Sequence, residues 1–191
     1  MTTGNPGRLS RRAFTLSALA GASLVAACGN GVGSNGAETI DARVDATLNQ
    51  MYAQYPNTVT IASKSTGMLV MPLVTEAGLW VGGAYGRGAL RVDGVTVDYY
   101  STAKASAGLQ IGAQQYAHVL FFMTEDALAD FRRSSGWAAG ADIEYVIRDL
   151  GDSVATDSTT LRSPVLAAIF ARAGLRVGAT LEGTKYTRII P

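Results

Sequence analysis

The sequence of 191 residues predicts an α+β fold: a single domain with a mainly antiparallel, glycine-rich sheet that is curved or barrel-like and covered by a few helices. Short runs of β-branched and aromatic residues follow one another through turn signals, which is typical of antiparallel sheets. Many of the 22 glycines lie inside or beside these runs, where they favour bulges and curvature. Helical periodicity is confined to a few segments.

The first element is a helix predicted between Ile40 and Tyr55. Apolar residues recur there at steps of three and four, and Pro56 ends the pattern. Polar residues occupy the opposite face, so we expect the helix to lie on its own domain rather than on a membrane surface. The next segment, 58–65, is ambiguous, because its β-branched start favours a strand and its small polar end favours a helix.

Strands fill the middle of the chain. Pro72 is expected to close the first of them, and Asp93-Gly94 between two β-rich runs is a strong hairpin signal. The last run ends in a wholly apolar stretch, which predicts a central strand covered on both faces, in one piece or two. The expected strands are 68–71, 79–85, 89–92, 95–100 and 108–123.

A second helix follows these strands. Thr124 is placed to cap its start, acidic residues follow in the first turn, and Arg132 and Arg133 lie in the last turn. Gly136 is expected to stop it. Further strands are expected at 141–147, 165–171 and 175–181.

Residues 1–27 are typical of an export signal rather than of a folded element. A basic start leads into an uncharged stretch of about 15 residues, shorter than the roughly 20 that a membrane-spanning helix needs. The paired arginines and the apolar residues after them resemble the twin-arginine variant, which is an address read by a receptor. The recognition residues would be Arg11, Arg12, Phe14 and Leu16.

Cys28 is the only cysteine, so it cannot form an internal disulfide. It follows Val25-Ala26-Ala27, and the stretch resembles the lipobox of bacterial lipoproteins. The resemblance implies that the Cys28 thiol receives a diacylglyceryl group, that the chain is cut before it, and that the new amine is acylated. Gly29 in the next position implies passage to the outer membrane. Since one acyl chain anchors only marginally, three would hold the protein on the bilayer almost permanently.

After the signal we expect a lipidated flexible tether at 28–37 and one folded domain at 38–191. The full chain has 16 basic and 15 acidic residues. Because three of the arginines belong to the signal, the processed chain would be slightly acidic, and its charge gives no support for nucleic-acid binding.

Two sequence patterns match part of a catalytic or phosphate-binding motif, but neither motif is complete. Ser101 and Lys104 match the S-x-x-K of penicillin-binding proteins and β-lactamases, but the companion S-D-N and K-T-G motifs are missing. The stretch 82–88 invites a phosphate-loop interpretation, but it lacks the Gly-Lys-Ser/Thr ending. Its glycines are more simply explained by strands that pack closely or bend.

The remaining chemistry-bearing residues are interpreted as structural. His118, the only histidine, enters an apolar run and is expected in the core. Asp149, Asp152 and Asp157 could gather on a loop around calcium, but their spacing is not that of an EF-hand.

Five stretches from Ser63 onward stand out, at 63–72, 77–90, 107–114, 120–124 and 173–185. Two motifs are the most specific. One is the run Gly108-Leu109-Gln110-Ile111-Gly112, and the other is Gly174-Leu175 followed, after five intervening residues, by Leu181-Glu182-Gly183. In order and spacing these stretches resemble the SYLF domain, a lipid-binding module of eukaryotic actin-associated proteins and of many bacterial envelope lipoproteins. The resemblance implies a compact glycine-rich sheet with helices, no catalysis, and binding of acidic phospholipid headgroups.

The chain departs from the eukaryotic SYLF members, in which an amphipathic N-terminal segment engages phosphoinositides and basic segments engage actin. The helix predicted from Ile40 carries one arginine and two aspartates, and the chain has no lysine cluster. Actin binding and phosphoinositide specificity are therefore not carried over. Basic residues do concentrate in 158–191, against Glu182 alone, and could form a face toward anionic headgroups or an ordinary solvated surface. They are Arg162, Arg172, Arg176, Lys185 and Arg188.

We expect a non-enzymatic lipoprotein of a bacterial outer membrane that faces the periplasm and needs no metal or cofactor. The lipid at Cys28 would anchor it, and its domain would touch membrane lipid or an envelope protein. A structural or protein-interaction lipoprotein with no headgroup site is the alternative. A hydrolase would require the side chains of Ser101 and Lys104 in one cleft.

Overall fold

The computed structural model describes residues 34–140, 143–147, 163–173 and 181–191. The predicted signal, Cys28, the three loop aspartates and most of the strand expected at 175–181 lie outside these residues. Three helices and a sheet of six strands are formed within them. The elements are α1 (Gly36–Gln54), α2 (Thr58–Lys64), β1 (Gly67–Val92), β2 (Val95–Phe122), α3 (Glu125–Arg133), β3 (Trp137–Ala138), β4 (Glu144–Ile147), β5 (Val165–Ala173) and β6 (Lys185–Ile189).

The centre of the fold is one long hairpin of β1 and β2. The expected hairpin turn is confirmed, since Asp93 and Gly94 both have positive φ, of 51° and 78°, as a tight type I′ turn requires. The prediction of several short strands is wrong, because the strands on each side of the turn run on without a break. Pro72 does not end its strand; the register instead shifts between Met71 and Val74, and a bulge tolerates a residue without an N–H.

The hairpin bends so that its two halves face each other. The register of β1 shifts between Gly78 and Trp80, and a Cβ at Gly78 would lie 2.6 Å from the Cα of Gly82. Further along, a Cβ at Gly88 would overlap the carbonyl oxygen of Val70, in the first half of the same strand. Glycine is therefore required where the halves cross, and the expected link between glycines and curvature is confirmed.

The other strands extend the sheet from β2. β5 pairs antiparallel with its second half and β6 with its first half, while β3 adds to β6. Only β4, which pairs with β5, runs parallel to its neighbour among the described strands. The sheet curls into a half-barrel, which confirms the predicted α+β class with a mainly antiparallel curved sheet.

Two apolar clusters hold the fold together. The inner cluster lies between the two halves of the hairpin and includes Leu69, Leu90 and Tyr100, with Phe131 of α3 packed into it. The outer cluster lies under α1 and α2 and includes Val44 and Phe170. Among the described residues, the first member of either cluster along the chain is Ile40 of α1.

The helices follow the sequence closely. α1 begins at Gly36, four residues earlier than expected, and the ambiguous segment 58–65 is helical because the buried Ile61 joins the outer cluster. The predicted cap of α3 is confirmed, since the Thr124 hydroxyl accepts a 3.2 Å hydrogen bond from the backbone N–H of Ala127. α3 ends at Arg133, and Ser134 rather than Gly136 caps its end.

Candidate functional site

Two of the five basic residues predicted to form a face can be placed in full. Arg162 and Arg176 lie outside the described residues, and Arg172 belongs to β5 without a described side chain. Lys185 and Arg188 both lie on β6 and are exposed. Because they are three residues apart on a strand, their side chains leave opposite faces of the sheet. These two residues therefore do not belong to one basic face.

Arg188 is occupied by structural contacts. Its Nε lies 3.4 Å from a carboxylate oxygen of Asp98, and its guanidinium donates a 3.0 Å hydrogen bond to the backbone carbonyl of Arg132. Arg132 also pairs with Asp98, at 3.2 Å. This group ties the end of β6 to the end of α3. We assign Arg188 to holding those elements together rather than to a ligand.

Lys185 lies on the outward side of the sheet. It pairs in register with Ala103 of β2, which in turn pairs with Tyr85 of β1, so the three residues form one row across three strands. The Lys185 stem runs beside Gly136, where an added Cβ would meet its Cε. This row borders the part of the molecule in which we place the candidate site.

The candidate site is a groove of about 410 Å³ between the start of α1 and the edge of β1. Arg43 of α1 and Arg87 of β1 line it, and none of the lining residues that the structure describes is acidic. Thr39 and Thr75 add hydroxyl groups to the wall. A smaller cavity of about 240 Å³ shares Arg43 and continues the groove along the helix. An open groove lined by two cationic side chains and by hydroxyl groups can bind an anionic group through charge-assisted hydrogen bonds.

The bend of the hairpin builds one wall of this groove. Leu73 lies in the bulge of β1, and a Cβ at Gly86 would come within 2.6 Å of the Leu73 carbonyl oxygen. The two halves of β1 can approach this closely only because residue 86 is glycine. The next residue, Arg87, is then presented beside the helix.

The first turn of α1 forms the other wall. The side chain of Asn35 makes no capping hydrogen bond, and the N–H of Gly36 donates to the Ser34 hydroxyl at 3.2 Å. The last residue of the sequence also packs against this turn, since a Cβ at Gly36 would lie 2.8 Å from the carbonyl carbon of Pro191. Glu38, the acidic residue of this turn, is exposed and is not part of the lining.

The aspartates of α1 are directed away from the groove. Asp41 accepts hydrogen bonds of 2.8 Å from both Thr96 and Tyr99, and Asp45 pairs with Arg91 at 2.7 Å. Their negative charges are therefore engaged with the hairpin.

The residues that suggested catalysis are placed apart. Ser101 and Lys104 lie three positions apart in the unbroken strand β2, so their side chains point to opposite faces and not into one cleft. His118 is fully buried, as expected, and its Nε2 lies 2.8 Å from the hydroxyl of Tyr186. Burial lowers the pKa of His118 to about 3, so the ring is neutral at physiological pH.

One family model matches the second half of the chain. Residues 103–188 match the family model described as Ysc84, Las17-binding protein actin regulator. The predicted resemblance to the SYLF family is therefore confirmed over residues 103–188. No curated protein matches the chain. The lipoprotein branch suggested by the first residues stays a prediction.

The match to the SYLF family runs from Ala103 in β2 to Arg188 in β6 and contains the buried pair of His118 and Tyr186. Arg43 and Arg87 precede it, so the groove is built largely from the part of the chain before the matched segment. Sequence reasoning placed Arg43 on the polar face of the first helix, and Arg87 in the glycine-rich stretch 82–88 between two expected strands. The only local signal was an arginine inside a glycine-rich strand, and it does not reveal that α1 starts beside it.

Two further observations concern the described part of the chain. None of its helices combines the length and the apolar character needed to cross a bilayer. Nor does this part bring three His, Cys, Asp or Glu side chains together as a metal site would require.

Proposed function

We propose that this protein is an envelope lipoprotein, anchored in a bacterial outer membrane through Cys28 and facing the periplasm, whose SYLF-family domain binds anionic phospholipid headgroups. The groove lined by Arg43 and Arg87 is the observation that carries the proposal. Guanidinium groups recognise phosphate oxygens through paired hydrogen bonds, and the described lining of the groove contains arginines but no acidic residue.

The position of the groove supports the same function. Asn35 lines it and follows Cys28 by only seven residues. An extended chain spans at most about 3.5 Å per residue, so a lipid on Cys28 would keep the groove within about 25 Å of the bilayer surface. Tethering raises the effective concentration of headgroups at the groove, so even a weak site would be occupied.

The proposal is tested with a chain that begins at Gly29, which lacks the anchor and keeps every residue of both apolar clusters. Flotation is measured with vesicles of phosphatidylcholine alone and with added phosphatidylglycerol. We expect binding only to the anionic vesicles, and weaker binding at high salt because the charges are then screened. Absence of binding to anionic vesicles at low salt would defeat the headgroup function.

The groove itself is tested by the double variant Arg43→Gln/Arg87→Gln. Each basic residue near an anionic surface contributes about 1 kcal/mol, so the vesicle partition coefficient should fall about 30-fold. The matched control is Lys64→Gln/Arg133→Gln, which removes two positive charges from α2 and α3, outside the groove. Equal losses in the two variants would show that overall charge, and not the groove, determines binding.

A further inference from the structure

The sheet beside the groove has an outward side that the described helices leave uncovered. We call it the open face and define it by Val81, Gly83, Tyr85, Ala103, Ala105 and Lys185, all of which are exposed. Register places them on one side, since Tyr85, Ala103 and Lys185 form one row and Gly83 and Ala105 form the next. The outer cluster under α1 and α2 reaches Ala89 and no further along this part of β1.

The composition of the open face is unusual for a surface in water. In an antiparallel sheet with one buried side, the other side is normally polar. Here only Lys185 is charged, while Val81 is 74% exposed and Tyr85 is 57% exposed. Apolar side chains grouped in this way indicate a surface that contacts something other than water.

The charges at its border indicate what it contacts. Arg87 lies two residues beyond Tyr85 on the same side of β1, Arg43 faces it across the groove, and Lys185 closes the row on β6. None of the six residues of the open face is acidic. An apolar centre with a cationic border complements a bilayer surface, where apolar side chains enter among the acyl chains and cations remain at the phosphates.

We propose that the open face lies directly on the bilayer, with Val81 and Tyr85 inserted below the headgroups and with Arg43, Arg87 and Lys185 at the level of the phosphates. The inference rests on the proposed function and deepens it, because it fixes the orientation of the domain on the membrane. It also implies that part of the binding is apolar and persists at high salt.

Single-cysteine spin labelling tests the orientation, since the chain beginning at Gly29 has no cysteine of its own. Labels at Val81→Cys and Tyr85→Cys are compared with labels at Val59→Cys on α2 and Val95→Cys at the hairpin turn, which are also exposed positions. On vesicles with phosphatidylglycerol, the first two labels should gain access to oxygen and lose access to a water-soluble nickel complex. The other two should keep their access to nickel.

The outcomes separate this inference from the proposed function. Flotation with all four labels still in water would overturn the orientation and leave headgroup binding intact, whereas absence of flotation would overturn both. Immobilisation of the labels at 81 and 85 without vesicles, together with a doubled mass in solution, would assign the open face to a second copy of the chain and overturn the inference.

A second variant measures the apolar contribution. Val81→Ser/Tyr85→Ser should lower the vesicle partition coefficient roughly tenfold or more, at low and high salt alike, because the inserted apolar area is lost. Both residues are exposed, so the thermal midpoint should change little. The control Val59→Ser/Val95→Ser should float like the parent chain. Equal flotation of the two double variants would overturn the inference.

Discussion

The carboxylate of Asp41 accepts a 2.8 Å hydrogen bond from the hydroxyl of Tyr99, 58 residues away along the chain. Its other oxygen accepts a bond of the same length from Thr96. One residue of α1 is thereby fixed to the start of β2, next to the Asp93-Gly94 turn. The contact ties α1 to the hairpin two residues before Arg43, which lines the groove.

Asp41→Ala should lower the free energy of unfolding by about 1–3 kcal/mol, because two donors lose a charged acceptor in a half-buried site. Asp45→Ala is the matched control: that carboxylate is largely exposed and bonds only Arg91, so we expect less than about 1 kcal/mol. Urea unfolding measures both. Burial and, after it, the interaction with Asp41 raise the pKa of Tyr99 to about 12. The hydroxyl of Tyr99 should therefore titrate at a lower pH in the Asp41→Ala variant. Similar losses of stability in the two variants would contradict the assigned role of Asp41.

His118 should make the domain sensitive to acid. Burial lowers its folded pKa to about 3, below the ordinary value of 6.5, so the unfolded chain binds a proton that the folded chain does not. The stabilisation is complete above about pH 6.5 and is lost as the pH falls toward 3, by about 1.4 kcal/mol per unit. His118→Gln cannot take up this proton.

Unfolding free energies of the parent chain and His118→Gln, measured between pH 7 and 4, isolate this contribution from that of the carboxylates. The variant should be less stable at pH 7, since the bond with Tyr186 is disturbed, and the difference should shrink as the pH falls. A difference that stays constant over this range would mean that His118 keeps its ordinary pKa in the folded chain.

Gly88→Ala should destabilise the fold strongly, because its Cβ would overlap the backbone carbonyl of Val70 and also the sulfur of Met71. The backbone at Val70 can move away only if the bend of the hairpin opens. We therefore expect the free energy of unfolding to fall by about 3 kcal/mol or more. Gly83→Ala is the control, since its Cβ would meet only the Lys104 carbonyl oxygen, at 3.3 Å. Thermal unfolding of the two variants compares them, and equal midpoints would argue against a close crossing of the two halves.

Local chemistry explains which parts of the fold could be predicted. The cap at Thr124, the turn at Asp93-Gly94 and the periodicity of α1 are interactions within a few residues, so the sequence displays them directly. The continuity of β1 is not local. The glycines and Pro72 that suggested strand ends are the residues that let one strand bend until Gly88 meets Val70.

The candidate site could not be predicted from the sequence because it, too, depends on contacts between residues that are far apart along the chain. A cluster of basic residues along the chain is not a cluster in space when strand geometry alternates the faces, as Lys185 and Arg188 illustrate. Arg43 and Arg87 are 44 positions apart in the numbering and meet only because α1 begins where the hairpin crosses itself. Their charge was visible in the sequence, but their proximity was not.

The last prediction concerns Cys28, which lies outside the described residues. If its thiol carries the anchor, Cys28→Ser should abolish both cleavage before residue 28 and acylation, and intact-mass analysis of the envelope fraction would detect both changes.

Headgroup binding through Arg43 and Arg87 is reversible and sensitive to salt, whereas three acyl chains hold almost permanently. A high-salt wash of isolated membranes should therefore retain the parent protein. The Cys28→Ser chain should be retained through its uncut apolar signal. A version that begins at Gly29 and is exported by a cleavable signal should be released for the most part, because only the apolar part of its binding persists at high salt. A released parent protein, or a Cys28→Ser chain with the parent's mass, would show that no lipid is attached at this residue.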